Sequence, residues 1–237
     1  MAIKTVLFDL DGTLLPMDLD EYLARYFQLM VEKMARNGYD PQQIAKAIQA
    51  SAAAMVQNNG SRTNEETFWN ALASVCGDEI RQASPLLEEF YEKEFQLAKE
   101  VCGFDPEAAP LVRRCREMGL RVILATSPLY PRIATESRIR WAGLEPEDFD
   151  YITTFETSHY CKPNPDYYRE LIRTCHLEPS QCLMVGNDVT EDMVAKDTGM
   201  DVFLLPAWLI NKENKDISQY PHGDFRDLIR YIEKNVG

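Results

Sequence analysis

The sequence predicts an α/β fold in which a doubly wound parallel sheet carries an inserted all-helical block. Three observations support this prediction. Short apolar runs alternate with segments of helical length in the later part of the chain, glycine follows three of those segments, and residues 15–104 contain helical patterns without a convincing strand. Strands that alternate with helices are typical of parallel sheets covered by helices on both faces.

Five runs rich in Val, Ile, Leu and Phe are predicted to be buried strands, at residues 3–8, 121–125, 151–155, 182–185 and 202–205. The helices predicted between them are at residues 106–118, 131–142, 165–175 and 191–198. Gly119, Gly143 and Gly199 follow three of these helices, where a left-handed C-terminal cap is expected. Together these elements predict a Rossmann-like core.

The stretch between the first and second strands is predicted to contain four helices, at residues 19–37, 41–58, 64–76 and 85–101. Thr63 and Glu66 have the spacing of a capping box at the start of the third helix. We therefore expect a core domain formed by residues 1–14 and 105–237 and a helical domain formed by residues 15–104, with a proline-rich return hinge at 105–110.

Composition limits the classes of partner. A net charge of −13 without a concentrated basic patch argues against nucleic acid. No apolar run approaches the roughly 18 residues of a membrane span, and Asp9 and Asp11 interrupt the N-terminal apolar stretch that an export signal needs. We expect a cytoplasmic protein with no membrane partner. The six cysteines lack CxxC spacing and are expected to be reduced structural thiols, and the choice between monomer and homodimer stays open.

Polar residues follow several of the predicted strands. Ligands of doubly wound sheets bind beyond the carboxyl ends of the strands, so the residues after each strand are candidates for a site. The candidates are Asp9 to Thr13 after the first strand, Thr126 and Ser127 after the second, Lys162 before the helix at 165–175, and Asn187, Asp188, Glu191 and Asp192 after the fourth.

Several carboxylates at one edge of a sheet repel one another, and a hard cation relieves that repulsion. Magnesium takes oxygen ligands, and usually one or two carboxylates with waters and substrate phosphate. Lysine and hydroxyl groups suit phosphate oxygens, and an aspartate can act as a nucleophile. These residues predict magnesium-dependent phosphoryl chemistry. The sequence has no GxxxxGK[ST], HExxH or GxSxG motif, which disfavours P-loop, zinc and serine hydrolase mechanisms.

Four motifs resemble those of the haloacid dehalogenase superfamily, in the family's own order and across the whole chain. They are DLDGT at 9–13, LATS at 124–127, KPNPDYY from Lys162, and VGNDVTED at 185–192. The chain looks like the C1-capped phosphatases, such as phosphoglycolate phosphatase and β-phosphoglucomutase, and the helical block at 15–104 then corresponds to the C1 cap.

The resemblance implies a role for each matching residue. Asp9 is the nucleophile, Asp11 is the general acid and then the general base, and Thr126 and Lys162 hold the phosphoryl group. The implied magnesium ligands are Asp9, the backbone carbonyl of Asp11, Asp188 and Asp192. Further candidates for substrate binding are Gly12, Thr13, Ser127 and, in the helical domain, Arg62.

The fourth motif departs from the family pattern, which usually begins Gly-Asp. Here it reads Gly186-Asn187-Asp188: the spacing to Asp192 favours Asp188 as ligand, whereas a gapless alignment places Asn187 there. Cys161 also stands before Lys162, where glycine is common. The roles of Cys161 and of His159 stay open.

The expected activity is hydrolysis of a small-molecule phosphate monoester through an aspartyl-phosphate intermediate, with Mg²⁺ as cofactor. The resemblance also supports this choice, because the dehalogenases of the family lack the second aspartate that Asp11 supplies. A phosphomutase would use the same residues, and a catalytically idle binding or regulatory module is the alternative from another class. The sequence does not identify the physiological substrate.

Overall fold

A computed structural model describes residues 2–236 and contains one five-stranded, fully parallel sheet of order β3-β2-β1-β4-β5. The strands are β1 (Thr5–Phe8), β2 (Arg121–Leu124), β3 (Tyr151–Ile152), β4 (Cys182–Gly186) and β5 (Asp201–Leu204). The predicted α/β fold with a doubly wound parallel sheet is confirmed.

The sheet is covered on both faces because neighbouring residues of a strand point to opposite sides. In β1, Val6 and Phe8 pack into one apolar cluster and Leu7 packs into another. The pairing register aligns the carboxyl ends of β1, β2 and β4, since Phe8 pairs with Leu124 on one side and with Val185 on the other. The residues that follow β1, β2 and β4 therefore emerge at one edge.

The helices of the core are α5 (Ala108–Glu117), α6 (Arg132–Trp141), α7 (Pro165–Cys175) and α8 (Phe225–Asn235). Between β1 and β2 lie α1 (Leu19–Arg36), α2 (Pro41–Val56), α3 (Asn64–Cys76) and α4 (Ser84–Glu92). The predicted capping box at Thr63 is present, and the glycines after α5, α6 and the 191–198 segment all have positive φ.

Four elements differ from the prediction. The helix predicted at 85–101 breaks at Lys93, where φ and ψ are −114° and −79°, into α4 and a 3₁₀ helix at Glu94–Val101. The segment predicted as a helix at 191–198 is a 3₁₀ helix at Met193–Thr198, and α8 was not predicted. The strand predicted at 151–155 pairs only over Tyr151–Ile152.

Within residues 2–236, all five strands lie outside the predicted helical domain of residues 15–104, whose exact boundaries stay a prediction. No helix within residues 2–236 is long and apolar enough to cross a membrane. All six cysteines are free thiols.

The start of α3 docks onto the loops of the core. Asn64 is fully buried, and its Nδ2 lies 3.2 Å from both the Pro128 carbonyl oxygen and the Cys161 Sγ. Its Oδ1 accepts a 2.8 Å bond from Asn58, and its backbone N–H donates to the Ser158 carbonyl at 2.8 Å. One buried amide thus joins the helical block to the loops before α6 and α7.

The Asn64→Ala variant is expected to lower the free energy of unfolding by about 1–3 kcal/mol, because buried polar partners lose their hydrogen bonds. Urea denaturation measures this change. The control Asn59→Ala removes an exposed amide from the same region, and its effect is expected to stay within about 0.5 kcal/mol. Equal losses in the two variants would contradict the docking role of Asn64.

Candidate functional site

Asp9 leaves the end of β1 at the centre of the sheet. Its backbone N–H donates to the Val185 carbonyl at 2.9 Å, which continues the ladder between β1 and β4 by one residue. The chain then turns tightly, with Leu15 N–H bonded to the Leu10 carbonyl at 2.9 Å. Asp9 is 8% exposed, so its carboxylate lies in a largely desolvated position.

Lys162 supplies the positive charge of the site. It is 1% exposed, and its Nζ lies 2.9 Å from Asp9 Oδ1 and 2.6 Å from Asp192 Oδ1. Burial disfavours the charged ammonium, but the nearby carboxylates of Asp192 and Asp9 outweigh it and hold the pKa of Lys162 well above its ordinary value. The lysine therefore stays protonated between two carboxylates.

Thr13 connects the first motif to the fourth. Its Oγ1 lies 2.9 Å from Asn187 Oδ1 and 3.3 Å from Asp9 Oδ2, and Asn187 Nδ2 donates to the Trp208 carbonyl at 2.7 Å. Gly12 has a φ of +79°, and a Cβ there would lie 2.3 Å from Asn187 Nδ2. Glycine at this position permits both the turn and the close approach of the two loops.

Asp188 and Asp192 shape the loop that follows β4. Asp188 Oδ1 accepts bonds from the backbone N–H groups of Thr190 (2.7 Å) and Glu191 (2.9 Å), while its own N–H donates to Asp192 Oδ2 at 2.9 Å. Gly186 allows this packing, since a Cβ there would lie 2.0 Å from Asp192 Oδ2. Asp192 is thus a structural partner of Lys162, and its role as a metal ligand stays a prediction.

Thr126 and Ser127 follow β2 at the same edge of the sheet. Thr126 is buried, and its carbonyl accepts bonds from Thr153 Oγ1 (2.7 Å) and the Tyr167 hydroxyl (3.0 Å). Those two bonds fix the backbone of the loop beside the β1 terminus. The contacts of Thr126 and Ser127 with a phosphoryl group stay a prediction.

Arg138 of α6 is a site residue that the sequence analysis missed. Its buried guanidinium forms an ion pair with Asp11 and lies 4.2 Å from the ring centroid of Tyr130. Burial raises the pKa of Asp11 above its ordinary value, and the opposing effect of Arg138 does not cancel it. The available signal was weak: Arg138 lies one helical turn from Ala134 and Ala142 on the inner face of α6.

Arg62 does not join this cluster. It is exposed and lines a surface pocket with residues of the helical domain, among them Glu66, Trp69 and Arg81. His159 is a loop residue bonded to Glu170 of α7, with Nδ1 and Oε1 2.7 Å apart. Cys161 is buried at the docking contact of Asn64, and burial raises the pKa of its thiol far above the ordinary value.

The donor atoms of the site suit a hard divalent cation. Oxygen donors of Asp9, Asn187 and Asp188 lie along the neighbouring ends of β1 and β4. The carboxyl groups of Asp9, Asp188 and Asp192 outnumber the ammonium of Lys162, so the charge of this region favours a cation.

The carboxylates do not form a ready-made cluster. Within residues 2–236, no three His, Cys, Asp or Glu side chains are grouped to hold a metal. Magnesium commonly uses one or two carboxylates together with waters, so the donor set still fits this ion. The predicted ligands Asp9, Asp11, Asp188 and Asp192, and the choice between Asn187 and Asp188, stay predictions.

Solved structures share this fold. A haloacid dehalogenase-type (HAD) phosphatase of Thermococcus onnurineus superposes with a TM-score of 0.60 at 19% identity, covering 99% of both chains. The L-2-haloacid dehalogenase of Xanthobacter autotrophicus gives a TM-score of 0.58 at 16% identity, covering 98% of both chains. At these identities the likeness concerns the fold alone.

Among curated proteins, the chain is 26% identical over 157 residues to SUPPRESSOR OF QUENCHING 1 of Arabidopsis thaliana. That match covers 65% of this chain but only 15% of the plant protein. It is 24% identical over 188 residues to the pyrophosphatase PpaX of Bacillus cereus, covering 79% of this chain and 76% of PpaX.

The model of the haloacid dehalogenase-like hydrolase family matches residues 3–196. The matched range contains the four motifs and every residue of the Asp9–Lys162–Asp192 cluster. The predicted superfamily is confirmed, and the chain belongs to the haloacid dehalogenase-like hydrolases, a family of hydrolytic enzymes.

Proposed function

We propose that the protein is a magnesium-dependent phosphatase that hydrolyses a small-molecule phosphate monoester through a phosphoryl group on Asp9. The observation that carries the proposal is the Asp9 carboxylate held 2.9 Å from the buried Lys162 ammonium, with Asp11 two residues further along the same loop. A nucleophile beside a fixed cation, followed by a second carboxyl group, is the arrangement that phosphoryl transfer to aspartate needs.

The substrate phosphate is placed against Asp9 by groups that converge on the end of β1. Lys162 attracts the phosphate oxygens, while Thr126 and Ser127 offer hydroxyl groups from the loop after β2. Gly12 and Thr13 lie in the turn after Asp9, where their backbone N–H groups are bonded to the Leu15 and Leu10 carbonyls, so their contact with the phosphate stays a prediction. Because these groups lie on loops fixed by the sheet, the phosphorus atom is presented to the carboxylate without a large rearrangement.

In the first step an oxygen of Asp9 attacks phosphorus, and the bond from phosphorus to the leaving oxygen breaks. Asp11 gives its proton to that leaving oxygen, so that an alcohol departs. In the second step Asp11 takes a proton from water as the water oxygen attacks phosphorus and the bond from phosphorus to the Asp9 oxygen breaks, which releases inorganic phosphate and restores the Asp9 carboxylate.

A magnesium ion held by Asp9, the Asp11 carbonyl, Asp188 and Asp192 would supply positive charge to the phosphate oxygens and reduce repulsion between them and the carboxylates.

The similarity to PpaX, a pyrophosphatase, supports a phosphate-containing substrate for this chain. A phosphomutase would return the phosphoryl group to a second position of the substrate. A catalytically idle module would bind without turnover, although every residue of the proposed machinery is present. We propose a cytoplasmic enzyme acting on a small molecule, as a monomer or a homodimer.

Purified protein is expected to hydrolyse a simple aryl phosphate with Mg²⁺ and to lose that activity with a chelator. The Asp9→Asn variant should lower kcat by roughly three orders of magnitude or more, since the nucleophile is removed. The control Asp197→Asn changes an exposed aspartate outside the site and should retain activity. Wild-type protein that is inactive with every divalent metal would contradict the proposal, as would an active Asp9→Asn variant.

The Asp188→Asn variant tests the choice of metal ligand. If Asp188 binds the ion, the Mg²⁺ concentration for half-maximal activity should rise by about tenfold or more, because one charged ligand is lost. A magnesium titration of activity measures the change. Glu191→Gln is the matched control, because it removes a neighbouring carboxylate outside the predicted ligand set and should leave the midpoint near the wild-type value. Equal shifts in both variants would contradict the assignment.

A further inference from the structure

The loop at residues 206–212, which follows β5, forms one wall of a cleft beside Asp11. The cleft has a volume of about 460 Å³ and reaches Asp11, Gly12 and Asn187 at its inner end. Trp208 and Leu209 of the loop are 44% and 36% exposed and are neighbours in the chain, so they form an adjacent pair of exposed large apolar side chains. The other apolar residues that line the cleft are Met17, Leu19, Ala207 and Ile210.

Hydrogen bonds fix this loop to the loop that carries the fourth motif. Asn187 Nδ2 donates to the Trp208 carbonyl at 2.7 Å, and the Ile210 N–H donates to the Asn187 carbonyl at 3.0 Å. The Val189 N–H donates to the Ile210 carbonyl, also at 3.0 Å. The backbone that carries Trp208 is therefore held at a set position relative to the loop of the fourth motif.

The charges of the cleft disfavour an anionic occupant. Its lining carries the carboxylates of Asp18 and Asp20 against the single ammonium of Lys212, while the carboxyl group of Asp11 is already paired with Arg138. The Asp18 side chain also caps α1 through the Glu21 N–H, which keeps its carboxylate in place. A leaving group with its own phosphate or carboxylate would meet a negative lining, whereas an uncharged one would not.

Position decides which part of a substrate occupies this cleft. If Asp11 protonates the leaving oxygen, as in the proposed function on which this inference rests, then the leaving group must lie next to Asp11. In that function the phosphate binds against Asp9 and Lys162, and the cleft is lined by both Asp11 and Trp208. The leaving group thus extends along the 206–212 loop.

We propose that the 206–212 loop is a leaving-group subsite in which Trp208 stacks against a planar, uncharged group. The substrate class is then phosphate monoesters of aromatic or similarly flat, apolar alcohols, in preference to pyrophosphate and to esters whose leaving group carries a carboxylate. Stacking on the indole face supplies affinity for a flat leaving group, and the acidic lining disfavours leaving groups that carry a negative charge.

The test compares kcat/KM for 1-naphthyl phosphate and ethyl phosphate in wild-type protein and in Trp208→Ala, with Mg²⁺ present. The naphthyl-to-ethyl ratio is expected to fall about tenfold in the variant, mainly through KM. Trp208→Phe should retain most of the ratio because it keeps an aromatic face. Leu97→Ala is the matched control, because Leu97 is an exposed apolar residue that does not line the cleft.

Wild-type protein should also prefer 1-naphthyl phosphate to pyrophosphate. An unchanged naphthyl-to-ethyl ratio in Trp208→Ala, or a wild-type preference for pyrophosphate, would overturn the subsite while leaving the phosphatase activity intact. Failure of the proposed function gives a different result, the absence of magnesium-dependent turnover of every ester. In that case calorimetric binding of 1-naphthyl phosphonate still tests the subsite, since affinity should fall about tenfold in Trp208→Ala and equal affinities would overturn the proposal.

Discussion

The buried ammonium of Lys162 between the carboxylates of Asp9 and Asp192 is the interaction on which the rest of the site depends. It joins three parts of the chain: the end of β1, the loop before α7, and the loop after β4. An ammonium taken out of water is costly unless it is well paired, and removing one partner from such a group typically costs about 3–5 kcal/mol. The same contacts that neutralise the lysine therefore fix the position of the Asp9 carboxylate.

The fold could be predicted largely from apolar patterns, because buried strands and capped helices leave local signals. The apolar run at residues 182–185 was predicted as a strand, and the capping box at Thr63 marked the start of the helix at Asn64–Cys76. The break at Lys93 could not be predicted, since nothing in the local sequence resembles a helix stop. The missed α8 did have a signal, the capping box of Asp224 and Asp227 before an amphipathic pattern.

The site was predictable where chemistry follows a strand end and unpredictable where it depends on packing. Asp9 and Lys162 meet as their motifs indicated. For Arg138 the sequence offers only the weak signal of its helical spacing from buried alanines, and tertiary packing decides that it is buried while Arg132 and Arg140 of the same helix are exposed. Arg62 was predicted as a substrate-binding residue because arginine suits an anion, but it lies on the surface apart from Asp9 and Lys162.

The proposed phosphatase mechanism requires Asp9 to carry the phosphoryl group. An Asp11→Asn variant is mixed with an aryl phosphate whose leaving group needs little protonation. The aspartyl-phosphate intermediate should then accumulate, because the base for the second step is missing. Rapid quenching followed by peptide mass spectrometry would locate it. We predict a phosphoryl adduct on Asp9 that is absent from the Asp9→Asn/Asp11→Asn double variant. Release of phosphate without any adduct on Asp9, or an adduct on another residue, would contradict the account.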